Sequence, residues 1–219
     1  MSCVLPDSSK TVNILVLVSG NGSNLQALLD AEKSGALGPA KIALVVSDRP
    51  GIRALERAKA AGVPAAAVQL DKSSGREERR RTLSDSILAL AETHHIGLIV
   101  YAGFLWILEG RIIEAYANRM INLHPALLPK FGGKGMYGEH VHRAVLAAGE
   151  KESGCTVHLV DAGTDTGLVI LQRRVPVLPD DTPETLAERI HKEEHIAIVE
   201  AVKMMLDRVG GRNETPCSH

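Results

Sequence analysis

A chain of 219 residues, 45% of them hydrophobic, can bury a sizeable core as one large domain or two small ones. Only 3% of its residues are aromatic, so that core has to be built from Val, Ile, Leu and Ala. A formal charge of −1 speaks against a nucleic-acid binder, whose surface carries a basic surplus, and no apolar run approaches the roughly 18 residues of a membrane span.

The first strand is expected over Val12–Val18, a continuous apolar run broken only by Asn13, and Leu25, Leu28 and Leu29 then recur at helical spacing. A strand over Ile42–Val46 and a helix over Gly51–Ala61 follow. Pro64–Leu70 is a weaker strand. Glu77–His94 reads as a long helix with Leu83, Ile87, Leu90 and Ala91 on one stripe. Gly97–Tyr101 and Met120–Leu123 are further strands, and His140 lies near a helix start. Continuous apolar strands alternating with helices imply a parallel sheet covered on both faces. Farther on, Thr156–Val160 and Leu168–Val175 are two strands joined by a short turn, as in an antiparallel pair. Thr182-Pro183-Glu184 supplies an N-cap, an N1 proline and a first-turn acid for a last helix running to Val209.

The fold class expected is therefore α/β: a single-domain, doubly wound, mostly parallel sheet with a Rossmann-like N-terminal half and an antiparallel strand pair near the C-terminus. Residues 1–11 form an N-terminal extension, 12–209 the domain and 210–219 a polar, disordered tail. The N-terminus lacks the basic start and apolar stretch of a signal peptide. Three cysteines (Cys3, Cys155, Cys217) are too few and too scattered for a disulfide framework or a zinc site. A cytoplasmic protein is expected, with no nucleic-acid or membrane partner, as a monomer or homodimer.

Two places carry chemistry. Ser19-Gly20-Asn21-Gly22-Ser23-Asn24 joins the first strand to the first helix. Its glycines permit positive φ and close backbone approach, and the free N–H groups of the helix start favour an anion. Leu25 stands where a dinucleotide fingerprint has its third glycine, and no Gly-Lys-Ser/Thr follows, so a single phosphate monoester fits better than a pyrophosphate. The plain alternative is an ordinary strand–helix turn.

The second place is Asn122-Leu123-His124-Pro125 at the end of an apolar strand, together with Asp165 in a later turn. Asn122 and His124, at i and i+2, point to one face of the strand, and ligands bind at that edge of open α/β sheets. An imidazole near neutrality can move protons, an amide N–H can stabilise an oxyanion, and a carboxylate can orient the imidazole or a water. The set suits acyl-type transfer without a metal. His94 and His95 close a helix, and His140, His142 and His158 show no spacing that marks a ligand, so all five read as structural. A metal at His158, Asp161 and Asp165 lacks any ligand-spacing motif, and none is expected.

Four motifs in order carry a resemblance: Val18-Ser-Gly-Asn-Gly-Ser-Asn24-Leu-Gln, Ala102-Gly-Phe-Leu105, Ile121-Asn-Leu-His-Pro-Ala-Leu-Leu-Pro129, and Gly154-Cys-Thr-Val-His158 leading to Asp165-Thr-Gly167. From Asn13 to about Ala201 the chain resembles the phosphoribosylglycinamide formyltransferase family, the folate-dependent enzymes of purine synthesis. The resemblance implies 10-formyltetrahydrofolate as formyl donor and glycinamide ribonucleotide as acceptor, with Asn122, His124 and Asp165 as the catalytic set. It implies that Gly20, Asn21, Gly22, Ser23, Asn24, Pro125 and Glu194 hold the ribonucleotide. It implies that Leu105, Trp106, Ile107, Leu108 and Val160 hold the folate, the segment 105–108 reading the pteridine through its backbone.

The residues support the role of Glu194 independently. Ile190, Glu194, Ala197 and Ala201 share one helical stripe, and a carboxylate on an apolar stripe needs a partner, whether a ribose hydroxyl, an amine or a basic side chain at the helix edge. Formyltetrahydrofolate deformylase is the alternative function. Its extra N-terminal regulatory domain has no counterpart expected ahead of Val12, nor does the C-terminal RNA-binding domain of methionyl-tRNA formyltransferase after the last helix.

Two features depart from the family. Trp106 stands where many members carry a basic or smaller residue. The loop Phe131-Gly-Gly-Lys-Gly-Met-Tyr-Gly138 is longer than in some members, and its Lys134 can either close over a ligand or stay solvated. Arg76-Glu-Glu-Arg-Arg-Arg81 reads as a solvated helix face.

Overall fold

The computed structural model describes residues 11–210, so the extension up to residue 10 and the tail from residue 211 lie outside the described residues. In chain order the elements are β1 (Val12–Val18), α1 (Ser23–Lys33), β2 (Ala40–Ser47), α2 (Arg53–Ala60), β3 (Ala65–Ala67), α3 (Arg76–Thr93), β4 (Ile96–Tyr101), α4 (Arg111–Ala115), β5 (Met120–His124), α5 (Glu139–Ala147), β6 (Glu152–Leu159), β7 (Val169–Pro176) and α6 (Pro183–Gly210). Seven strands form one sheet in the order β3-β2-β1-β4-β5-β6-β7. The first five pair in parallel; β6 runs antiparallel to β5, and β7 to β6.

Strand β1 is covered on both sides, which is why its sequence is apolar without alternation. Ile14, Val16 and Val18 pack with α1, α2, α5 and α6, whereas Leu15 and Leu17 pack with α3 and α4. The buried set is almost wholly aliphatic, with Tyr101, Phe104 and Tyr116 as its aromatic members. The stripe on α3 buries Leu83, Ile87 and Ala91, with Leu90 at its margin. The α6 stripe buries Ile190, Ala197 and Ala201.

Some boundaries differ from the sequence expectation. The weak strand over 64–70 shrinks to Ala65–Ala67, which pairs only with the end of β2. Strand β6 begins at Glu152 and stops at Leu159, where Val160 leaves the ladder and donates its N–H to Met120. Residues 160–168 then form a loop rather than a short turn. Helix α4 is too short for a periodic pattern to mark it.

The topology decides where a ligand fits. After β1 the chain builds β2 and β3 outward on one side, then returns to lay β4 against the other side of β1. The loops leaving β1 and β4 therefore diverge, opening a crevice at the carboxyl ends of these strands.

Candidate active site

A cavity of about 450 Å³ occupies that crevice. Its walls come from the loop after β1 (residues 20–24), the segment after β4 (102–108), the end of β5 with Pro125, the glycine loop (133–138), the loop after β6 (Val160 to Asp165), and His191 and Glu194 of α6. Every residue singled out in the sequence for catalysis or for either substrate lines this one space.

Ser19, buried at the end of β1, braces two of these walls. Its N–H donates to the Gly103 carbonyl at 3.1 Å, and its Oγ accepts the Leu105 N–H at 3.0 Å. On the other side of the loop, the Arg57 guanidinium donates to the Asn21 carbonyl and to Gln26 Oε1, both at 2.9 Å.

Helix α1 begins with no side-chain cap and no acid in its first turn. Its N-cap, Gly22, is left-handed at φ 75, and a Cβ there would lie 2.7 Å from the Ala54 Cβ, so only glycine fits. The first-turn N–H groups lack intrahelical partners. Ser23 and Asn24, which carry the first of these groups, line the cavity, where the helix dipole favours an anion.

Four polar side chains meet near the ends of β5 and β6. Asn122 Nδ2 lies 3.1 Å from His158 Nε2 and 3.4 Å from Asp165 Oδ1. His158 Nδ1–H donates to the Leu159 carbonyl at 2.8 Å, leaving Nε2 to accept from Asn122. His124 Nε2–H donates to the Phe131 carbonyl at 2.8 Å, which turns Nδ1 toward Asp165 Oδ2 at 3.6 Å. That same Oδ2 accepts the Gly133 N–H at 2.9 Å. Asp165 itself is left-handed at φ 58, a conformation that aspartate tolerates better than most residues.

Electrostatics follow from burial. Desolvation lowers the His124 pKa below its ordinary value; the Asp165 charge and the Phe131 carbonyl oppose this without reversing it. His124 is therefore neutral near pH 7 in the unliganded protein, and a proton on it needs a further negative partner. Burial works to raise the Asp165 pKa, but the close His158 imidazole, the hydrogen bond from the Gly133 N–H and the neighbouring His124 bring it below the usual range. Asp165 is a carboxylate throughout the neutral range.

The structural reading of His158 needs correction. The antiparallel ladder pairs it with Asn122, and it reaches both Asn122 and Asp165, the latter at 3.5 Å. His142 also lines the cavity; it is buried, and its Nδ1 has no partner. Burial, then His191 and His124, push its pKa down to about 4. His94 and His95 lie outside the cavity lining, and the His94 main-chain carbonyl accepts Asn13 Nδ2–H at 3.0 Å.

Glu194 is buried at 5% exposure and finds an unforeseen partner, Asn24, whose Nδ2–H donates to Oε2 at 3.1 Å. His191 Nε2 lies 3.9 Å from the same oxygen. The side chain of Asn24 thus holds Glu194, and only its backbone belongs to the open helix start. The glycine loop is pinned at its near end by the Phe131 and Gly133 contacts, and Lys134 lines the cavity beyond them.

With this geometry in view, the chain belongs to the formyl transferase family, whose pattern matches residues 12–202. Within that family it is similar to a phosphoribosylglycinamide formyltransferase of Haemophilus influenzae, 37% identical over 83% of this chain and 81% of that protein. It is 42% identical over 91% of its length to the trifunctional purine biosynthetic protein adenosine-3 of Drosophila melanogaster, but spans only 14% of that protein. Among solved structures, glycinamide ribonucleotide transformylase 1 of Symbiobacterium toebii superposes with a TM-score of 0.81 at 37% identity, covering 95% of this chain and 92% of that one.

Proposed function

We propose that this protein transfers the formyl group of 10-formyltetrahydrofolate to the amine of glycinamide ribonucleotide, in the cytoplasm, as a monomer or homodimer with no nucleic-acid or membrane partner. One observation carries the reading: an uncapped helix N-terminus and an Asn–His–Asp cluster open into the same cavity. A phosphate at one end and a reacting amine at the other describe a phosphorylated acceptor. The likeness to named formyltransferases of matching length adds to it.

In the proposed mechanism the ribonucleotide phosphate sits against Gly20 to Asn24, with Pro125 along the acceptor and Glu194 addressing its ribose or amine. The folate ring lies against Leu105, Trp106, Ile107, Leu108 and Val160. The amine attacks the formyl carbon and forms a tetrahedral intermediate. Asn122 releases its long 3.4 Å contact with Asp165 and donates that N–H to the oxyanion. Such a donor is worth about 3 kcal/mol of barrier. The developing charge lets His124 take up a proton from solvent on Nδ1, between oxyanion and Asp165, and release it to solvent when the oxyanion collapses to the product carbonyl. Asp165, through water, accepts the ammonium proton and returns it to N10 as the carbon–N10 bond breaks. His158 holds the Asn122 amide in place.

The test is release of deformylated folate from 10-formyl-5,8-dideazafolate, followed by absorbance, with and without glycinamide ribonucleotide. Release only with the ribonucleotide is expected. Release without it would mean hydrolysis, and the proposal would fall.

A further inference from the structure

Helix α2 lies directly behind the loop after β1. None of its residues, Arg53–Ala60, lines the cavity, whereas Gly20, Asn21 and Gly22 all do. The two pack closely: a Cβ on Gly22 would meet the Ala54 Cβ at 2.7 Å and the Arg57 Cδ at 3.5 Å.

Two successive carbonyls of the loop are held by this helix. The Gly20 carbonyl accepts the Ala54 N–H at 3.2 Å, and the Asn21 carbonyl accepts Arg57 Nε–H at 2.9 Å. The same guanidinium donates through Nη1 to Gln26 Oε1 at 2.9 Å, and Gln26 Nε2–H in turn donates to Asp30 Oδ1. Both acceptors that Arg57 uses are neutral, so ion pairing does not account for where it sits. Its planar fork ties the loop to α1 at fixed geometry.

Peptide geometry carries these contacts to the other side of the loop. In a planar trans peptide the C=O of one residue and the N–H of the next point in opposite directions. Gly20 and Asn21 carbonyls drawn toward α2 therefore turn the Asn21 and Gly22 N–H groups away from it. Among the described residues neither N–H has an acceptor. Successive free N–H groups make a concave anion site, and these two extend the open row at the start of α1.

We propose that Arg57 is a positioning residue for the phosphate of the acceptor: from behind the loop it aims the Gly22 N–H at that group without touching it. The Ala54 contact does the same for the Asn21 N–H. That contact is backbone to backbone and survives a change of side chain, so the Arg57 contact is the one that a substitution removes. The inference rests on the phosphate reading of this loop and names what orients it.

The test uses the whole chain with 10-formyl-5,8-dideazafolate as donor, glycinamide ribonucleotide as acceptor and inorganic phosphate as competitor of the acceptor. Arg57→Met keeps an aliphatic stem against Gly22 and removes the fork. It is expected to raise the ribonucleotide KM at least about tenfold, the scale of one hydrogen bond lost to a charged group. The inhibition constant of inorganic phosphate should rise by a similar factor. The kcat and the donor KM, at saturating ribonucleotide, should stay within about twofold of the unmodified protein. Arg57→Lys keeps the charge but cannot serve both acceptors at once, so its ribonucleotide KM should lie nearer to that of Arg57→Met than to that of the unmodified protein.

A ribonucleotide KM within about twofold for Arg57→Met, an equal rise in donor KM, or full recovery by Arg57→Lys would overturn the inference and leave formyl transfer standing. Unmodified protein that transfers the formyl group but is not competed by phosphate would overturn the inference together with the phosphate reading. Unmodified protein that transfers nothing would overturn the proposed function as well.

Discussion

The Asp165 carboxylate stands 3.6 Å from His124 Nδ1, and its position is set by the Gly133 N–H rather than by the histidine. The carboxylate is thus pre-placed by backbone, so its removal should cost chemistry more than structure. Asp165→Asn should lower kcat by about a thousandfold, within the range of a lost general acid–base group. Ribonucleotide affinity should change little, because the phosphate end of the cavity is untouched. Titration calorimetry with the ribonucleotide beside single-turnover kinetics checks both halves, and near-normal turnover would remove Asp165 from the mechanism.

Ser23 is the first residue of α1 and lines the cavity. Ser23→Asp adds a carboxylate that suits a helix start and leaves the fold intact. The same charge repels a bound phosphate. Ribonucleotide KM should rise at least about tenfold, from one like-charge contact near the surface, with donor KM unchanged. Equal loss of both ligands would point to misfolding instead.

Asn24 and Glu194 are 170 positions apart and join α1 to α6 through one buried hydrogen bond. Asn24→Ala takes away the donor that the Glu194 carboxylate accepts from, so it should destabilise the protein by about 1.5–3 kcal/mol, the scale of a hydrogen bond to a charged group. Urea denaturation of both single variants and of the double variant with Glu194→Ala measures the coupling. Strictly additive effects would mean the pair contributes nothing of its own.

Acid should loosen the fold before the carboxylates titrate. His142 has a folded pKa of about 4, and His124 and His195 are also depressed, each chiefly by burial. In the unfolded chain all three titrate near 6.5. Between these values the unfolded state binds more protons, so stability is full above about pH 6.5 and falls as pH drops toward 4, by at most about 1.4 kcal/mol per pH unit for each histidine. Denaturant midpoints at pH 7, 6, 5 and 4.5 should show the decline, and His142→Leu should make it shallower. A flat profile across this window would contradict the burial-driven shifts.

The α/β architecture was legible because burial on both faces leaves a local mark. Val12–Val18 is apolar without alternation, and Leu83, Ile87 and Ala91 recur at helical spacing, whatever the rest of the chain does. The loop from Ser19 to Asn24 and the Asn122–His124 pair were legible too, since each is a short run at a strand's end. Pairings between distant segments were not. His158 joins the cluster because β6 runs antiparallel to β5 in a register that sets it opposite Asn122, and one residue of slip would have turned it to the other face.

By itself, then, the sequence marked most of the strands and helices and singled out Asn122, His124 and the loop from Ser19 to Asn24 as candidates for chemistry, because those depend on near neighbours along the chain. Only the tertiary structure decided that Asn24 serves Glu194, that Ser19 ties the loop after β1 to Leu105, and that Trp106 rests on Asp48 under Arg79. Each of these contacts spans tens of residues or more. Their geometry follows from laying β4 beside β1 and from docking α6 on the sheet, and no local pattern encodes either.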